Sequence, residues 1–323
     1  MSGKWEKLGL LLEDRDFTST VSWADSFTQA PNAIVLEDRV RIYFTSRHRH
    51  DPDGNFVSRG AYVDFASLTK GDIMGFSEEP ILELGSLGNF DEFGTYPISV
   101  AQSSNGKYVA YYGGWTRCES VPFDVSIGKA TSEDGKIFVK SHRGPVLSST
   151  PNEPFVITSP KIRVLSGKWV LSYTAGERWL LSDGRAEIIY KLRIAFSDNG
   201  DDWTRLDRQI VEDKIGPDEA QASPDIIFRN GKYHMFFCYR ASTDFRRNPE
   251  RSYRIGYAYS ENLIDWIRDD EKYALERSSQ GWDSEMVAYP NVFCYEGALF
   301  MLYLGNEVGK CGFGLARLDG DLY

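Results

Sequence analysis

Residues 222–240 read Ala-Ser-Pro-Asp-Ile-Ile-Phe-Arg-Asn-Gly-Lys-Tyr-His-Met-Phe-Phe-Cys-Tyr-Arg. A proline opens an apolar run, Asn230-Gly231-Lys232 makes a turn, and an aromatic-rich run follows. Asn-Gly between apolar runs is a hairpin signal. The same grammar recurs from Ala30-Pro31, Tyr96-Pro97, Ser159-Pro160 and Tyr289-Pro290, with second runs at Ile42-Tyr43-Phe44, Val109–Tyr112, Val170–Tyr173 and Met301-Leu302-Tyr303. Asn105-Gly106-Lys107 and Ser166-Gly167-Lys168 repeat the turn. A third strand recurs as Ile127–Ala130, Arg193–Ser197, Arg254–Ala258 and Gly312–Ala316, each with a fourth, outer strand expected beyond it.

The spacing sets the number of repeats. Successive marker prolines lie 66, 63, 64 and 66 residues apart, and counting from Pro290 through the chain ends to Pro31 adds 64 more. The chain closes on itself with its own period. The reading is an all-β, five-bladed β-propeller forming one domain over residues 1–323. The last repeat lacks an outer strand, and the run Trp5–Glu13 is placed to supply it, closing the ring and removing a free edge.

Composition narrows the class. The 323 residues carry a formal charge of −10, against the basic surplus of a phosphate-backbone binder, so no nucleic-acid partner is expected. No stretch has the roughly 18 apolar residues of a membrane helix, and the start carries no apolar leader; a cytoplasmic protein is expected. Cys118, Cys238, Cys294 and Cys311 form no C-x-x-C pair and read as free thiols. His48, His50, His142 and His234 do not cluster at metal spacing, so no metal or cofactor is expected.

Propeller geometry selects the site. The start of each inner strand and the end of each second strand share one axial face, and residues there converge on the channel mouth. Before the prolines stand Asp25, Asp91, Glu92, Glu153, Asp218, Glu219, Asp283 and Glu285; Glu92, Glu219 and Glu285 each lie five residues ahead of their proline. At the second-strand ends stand Arg47, Trp115, Arg117, Arg178, Arg240 and Asn306. Carboxylates at one mouth suit glycoside cleavage, which uses a pair of them. Arginines suit an anionic group on the ligand, and Trp115 suits a sugar face. Asp225 follows its proline directly and lines the channel, with structural hydrogen bonding as the equal alternative. Solvated ion pairs are the plain alternative for every one of these loop charges.

The chain resembles the five-bladed arabinanase, levansucrase and invertase superfamily, with mannoside phosphorylases as relatives. The resemblance rests on the strand-turn-strand units opening at x-Pro, on Arg254–Ser260 leading to Asp265-Trp266, and on the stretch from Trp282 to Pro290. It implies a glycosidase-like enzyme acting on a sugar or oligosaccharide. Members of this kind often carry a catalytic aspartate directly before the first proline; here Ala30 stands there, and Tyr96, Ser159, Ser223 and Tyr289 fill the corresponding places. The expected acids are therefore the loop residues Glu285 and Glu219, with Glu92 or Asp91 as a third. Substrate binding is expected from Arg47, Trp115, Arg117, Arg178, Arg240, Asp225 and Asn306. The reading is glycosyl cleavage or transfer, as hydrolase, phosphorylase or transferase. The alternative is a non-catalytic sugar-binding or scaffolding propeller.

Overall fold

A computed structural model of the chain describes residues 3–49, 55–103, 106–165 and 167–323; His50, Asn105 and Ser166 lie outside the described residues. The first strand is β1 (Lys4–Glu13). Blade one holds β2 (Ser26–Val35), β3 (Val40–Arg49), β4 (Phe56–Ser67) and β5 (Asp72–Phe76). Blade two holds β6 (Thr95–Gln102), β7 (Tyr108–Thr116), β8 (Asp124–Ser132) and β9 (Val139–Lys140). Blade three holds β10 (Ile157–Leu165), β11 (Lys168–Ser182), β12 (Arg185–Ser197) and β13 (Thr204–Arg205). Blade four holds β14 (Glu219–Arg229), β15 (Lys232–Ala241), β16 (Arg254–Ser260) and β17 (Ile267–Arg268). Blade five holds β18 (Ala288–Tyr295), β19 (Ala298–Leu304) and β20 (Gly312–Asp319). Its fourth strand is β1, antiparallel to β20 from Lys4↔Asp319 to Glu13↔Gly312. The protein is a five-bladed β-propeller closed by its N-terminal strand, as the period requires.

The marker prolines now have a physical reason. Each inner strand keeps one edge toward the channel, and proline, which has no N–H to donate, is tolerated only at such edges or at bulges. In every blade the ladder skips the x-Pro pair: between Gln29 and Asn32, Thr95 and Ile98, Thr158 and Lys161, Ala222 and Asp225, and Ala288 and Asn291. The residue before the proline is left-handed in four blades: Ala30 (φ 49°), Ser159 (φ 50°), Ser223 (φ 54°) and Tyr289 (φ 53°). Blade two makes the same break with a cis Tyr96–Pro97 bond. A bulge re-aims side chains, and here it turns these residues toward the channel mouth.

Just past each bulge the blades are tied together. Asn32 Oδ1 accepts the Val100 N–H of blade two at 2.7 Å, and Ser99 Oγ accepts the Ile162 N–H of blade three at 3.2 Å. Asp225 Oδ2 accepts the Val292 N–H of blade five at 2.6 Å, and Asn291 Oδ1 accepts the Ala33 N–H of blade one at 2.8 Å. At the joint between blades three and four the corresponding residue is Lys161, which has nothing to accept with. Ser172 Oγ donates to the Pro224 carbonyl at 2.7 Å there instead, and Arg163 reaches Asp225 at 2.6 Å. Aromatics from the second strands fill the spaces between blades: Tyr43 packs on Phe138, Tyr111 on Trp203, and Phe236 on Trp5.

Two stability measurements follow. Without residues 3–13, β20 becomes a free edge and the buried Trp5 and Leu12 are lost. Burying two such side chains contributes about 3–6 kcal/mol, so the truncated protein should melt about 10 °C lower or aggregate; unchanged melting would remove β1 from the closure. Lys161 is buried with no hydrogen-bond partner for Nζ among the described residues, and burial pushes its ammonium down to about 8. A shift of that size corresponds to about 3 kcal/mol against the charged form. Lys161→Met should therefore raise Tm at pH 7. Between pH 8 and 10.5 the unfolded chain holds the lysine proton and the folded one does not. Wild-type stability rises with pH across that window relative to Lys161→Met, and the gap seen in paired melting curves should narrow.

Candidate active site

The bulges at the inner-strand starts and the ends of the second strands meet around a cavity of about 510 Å³ at the channel mouth. Gln29, Tyr96, Ser159, Ala222 and Tyr289 come from the inner strands; Arg47, Trp115, Arg117, Thr174 and Arg240 come from the second strands or just beyond. Four of the residues expected to bind substrate are therefore brought together here. Trp115, Phe123 and Trp179 form a continuous aromatic ridge on one wall, with ring centroids 4.4 Å and 5.4 Å apart. Such a surface suits the apolar face of a sugar ring.

Two of the arginines are unusual. Arg240 is 3% exposed and lies 3.6 Å over the ring of Phe245 and 5.4 Å over Tyr253. Arg47 lies 4.5 Å over Phe27. Among the described residues neither has a carboxylate partner, and Nε of each is buried without an acceptor. Burial holds the Arg47 guanidinium below its ordinary value, with Arg246 adding repulsion. Around them stand Tyr96, Tyr190, Tyr253 and Tyr289. Burial pushes the Tyr96 phenol up to about 12 and raises those of Tyr190 and Tyr289. The hydroxyls of Tyr96, Tyr190 and Tyr289 stay protonated and remain donors. Arg240 Nη1 donates to the Ala241 carbonyl at 2.9 Å, and a buried guanidinium with no negative partner is costly. Protonated hydroxyls beside stacked guanidiniums make a receptor for an oxyanion.

The carboxylates are arranged otherwise than the sequence suggests. Asp91 is 1% exposed and accepts from Tyr112 while paired with Lys140 at 2.6 Å. Glu153 accepts from Tyr173 and pairs with Arg205 at 2.6 Å; Asp283 accepts from Tyr303 and pairs with Lys7 at 2.6 Å. Glu219 accepts the Lys214 and Ile215 N–H groups and pairs with Arg268 at 2.6 Å. In each case the cation comes from the outermost strand of the same blade. These four acids are clamps that pin each incoming linker across its blade. They recur because the blade recurs, and they lie outside the cavity.

The remaining expectations also need correction by position. Glu92 accepts the Gly88 N–H in its own turn. Arg178 follows a bulge between Gly176 and Arg178 and pairs with Asp218, away from the cavity. Asp225 belongs to the inter-blade belt, and Asn306 Oδ1 accepts the Glu285 N–H at 2.8 Å. Glu285 itself is exposed and lines a side pocket of about 220 Å³ with Phe245, Arg246, Arg247 and Met286. The acids that do line the main cavity are Glu187 and Glu307. Glu187 sits on β12 where β11 and β12 run on past the mouth, held by Arg246 at 3.1 Å and Arg185 at 3.4 Å. Neither acid belongs to the repeat; the only sequence signal was the extra length between Tyr173 and Arg193.

Solved structures agree on the fold: a glycosyl hydrolase from Bacteroides ovatus superposes with a TM-score of 0.72 at 16% identity over 98% of this chain and 94% of that one. A structure described under the GH130 family of mannoside phosphorylases, containing glycoside hydrolases that target β-1,2 mannosidic linkages in Candida mannan, gives 0.71 at 16% over 98% and 94%. No family model matches the chain. Two Mycobacterium tuberculosis proteins, uncharacterized protein MT1551 and uncharacterized protein Rv1502, are each 31% identical over 316 residues, 98% of this chain and 99% of theirs. The chain belongs to their family. A 1,2-β-oligomannan phosphorylase from Thermoanaerobacter is 26% identical over 60% of this chain and 57% of its own length.

The clamp assignment makes a measurable difference. Breaking a buried ion pair from one side costs about 3–5 kcal/mol. Glu219→Gln should lower Tm by about 10 °C or more and leave turnover per folded molecule unchanged; a loss of turnover at unchanged Tm would return Glu219 to the chemistry.

Proposed function

We propose that this protein is a carbohydrate-active enzyme that cleaves or transfers a glycosyl group, with an anionic or phosphorylated sugar, or phosphate itself, seated on Arg47 and Arg240. The observation that carries the reading is that, among the described residues, neither guanidinium at the channel mouth has a carboxylate partner and the Nε of each is buried without an acceptor, with tyrosine hydroxyls lining the same cavity. The aromatic ridge of Trp115, Phe123 and Trp179 supports a sugar face against the same anion site. The fold shared with glycoside hydrolases and mannoside phosphorylases supports glycosyl chemistry, and the names of the Thermoanaerobacter relatives direct the first assays to β-1,2-linked mannosides with inorganic phosphate.

A non-catalytic sugar-binding propeller is the second reading. It is favoured by Ala30 at the first marker proline and by the ion-paired state of Glu187. Turnover against binding alone, on the same sugars, separates the two.

Arg240→Met tests the anion site by two measurements. Removing a charge-assisted contact of about 1.5–3 kcal/mol should weaken inorganic phosphate or a sugar phosphate at least about tenfold in calorimetry. Arg240 keeps one backbone acceptor, the Ala241 carbonyl at 2.9 Å, and no carboxylate among the described residues, so removing its buried charge should cost the ligand-free protein little stability. Binding to the wild type should weaken as salt rises. Equal affinity for a neutral sugar and its phosphorylated form would overturn the reading.

A further inference from the structure

The backbone beside the cavity carries a strained element. Glu307 (φ 55°, ψ 27°) and Val308 (φ 55°, ψ 51°) are both left-handed, and Gly309 (φ 83°) continues the turn. Left-handed residues other than glycine cost roughly 1–2 kcal/mol each, and a β-branched valine there is an outlier. Such strain persists only where the surroundings over-determine it. Here they do. Asn306 N–H donates to the Trp282 carbonyl at 2.8 Å, and its side chain holds Glu285 N and the Gly281 carbonyl. Gln29 of blade one donates through Nε2 to the Val308 carbonyl of blade five. Gly309 sits so close to blade one that a Cβ would lie 2.9 Å from the Thr28 carbonyl.

The turn sets Glu307 and Val308 at a partition. Glu307 and Val308 line both the main cavity and the side pocket, and Arg246 joins them in both. The side pocket has an apolar floor from Phe245, Pro249 and Met286. A ligand reaching from the main cavity into the side pocket passes this partition. Ala30 leaves blade one without an acid at its bulge, and the neighbouring Gln29 ties down the turn that brings an acid across from blade five.

Building on the function proposed above, we propose that Glu307 is the general acid of this site and that Gln29 is its positioning residue. As the bond between the anomeric carbon and the glycosidic oxygen breaks, its electron pair passes to that oxygen, which takes the proton from Glu307. A phosphate oxyanion on the arginines forms the new bond at the anomeric carbon, or water does so and gives its proton to Glu187. Glu307 faces solvent and pairs with Lys310 at 2.6 Å. Arg246, Arg247 and Glu285 are the other charged groups around the side pocket.

The experiment compares two leaving groups: β-1,2-mannobiose with inorganic phosphate, and 2,4-dinitrophenyl β-mannoside, whose phenol departs without a proton. Glu307→Gln should lower kcat/KM on the disaccharide about 10²–10⁴-fold and change the dinitrophenyl substrate less than about tenfold, with melting and phosphate binding preserved. Gln29→Ala should lower kcat on the disaccharide, leave KM in place, and spare the dinitrophenyl substrate. Val308→Gly should raise Tm while lowering kcat on the disaccharide. A Glu307→Gln enzyme as fast as wild type on mannobiose, or equally slow on both substrates, overturns the assignment and leaves the proposed function standing. A wild type that binds phosphate and turns over neither substrate overturns the enzymatic reading itself and this assignment with it.

Discussion

Each inner strand of this ring has one row of N–H groups with no neighbouring strand to receive them, and the molecule depends on how that edge is closed. An open edge inside a narrow channel is a buried polar liability. The side chains just past the marker prolines answer it by accepting a backbone N–H from the next blade: Asn32, Ser99, Asp225 and Asn291. Five sheets that share no ladder are thereby held in one register. The x-Pro bulge above this belt is its counterpart, since the strand must break its own pairing before it can turn side chains inward for the belt and upward for the mouth.

The mouth inherits its geometry from that break. Left-handed Ala30, Ser159, Ser223 and Tyr289 lie on one level of the ring, and the second strands end beside them. The guanidiniums of Arg47 and Arg240 are rigid because they lie on aromatic rings, which supplies attraction and packing without neutralising charge. Stability is held by the belt and the four clamps, while the mouth carries two ring-stacked guanidiniums with no carboxylate partner among the described residues and a left-handed turn.

The repeat was legible because proline, Asn-Gly turns and aromatic runs are local features with local causes. The number of blades and the closure by Trp5–Glu13 follow from counting alone. The arginines at the second-strand ends were legible for the same reason, and Arg47, Arg117 and Arg240 converge. Arg178 did not, because one extra residue at Glu177 turns the strand over. The acids were less legible. A carboxylate six residues before a proline, as in Asp91, and one five before, as in Glu285, look alike in sequence. Burial separates them: the first meets a tyrosine and a lysine, the second faces water. Glu187 and Glu307 could not be found by periodicity, since an overlong hairpin and a left-handed turn are departures from the period.

Closure by β1 also sets an order in time. The strand at the start of the chain finds its partner only in β20, about 300 residues later, so the pairing that completes the ring is also its longest-range contact. Ribosomes add about 5–20 residues per second. During synthesis the segment Trp5–Leu12, with its run of leucines, therefore waits roughly 15–60 s for its site to exist. Four blades can form behind it while the fifth stays open, which makes this segment the part of the nascent chain with the greatest need of a chaperone.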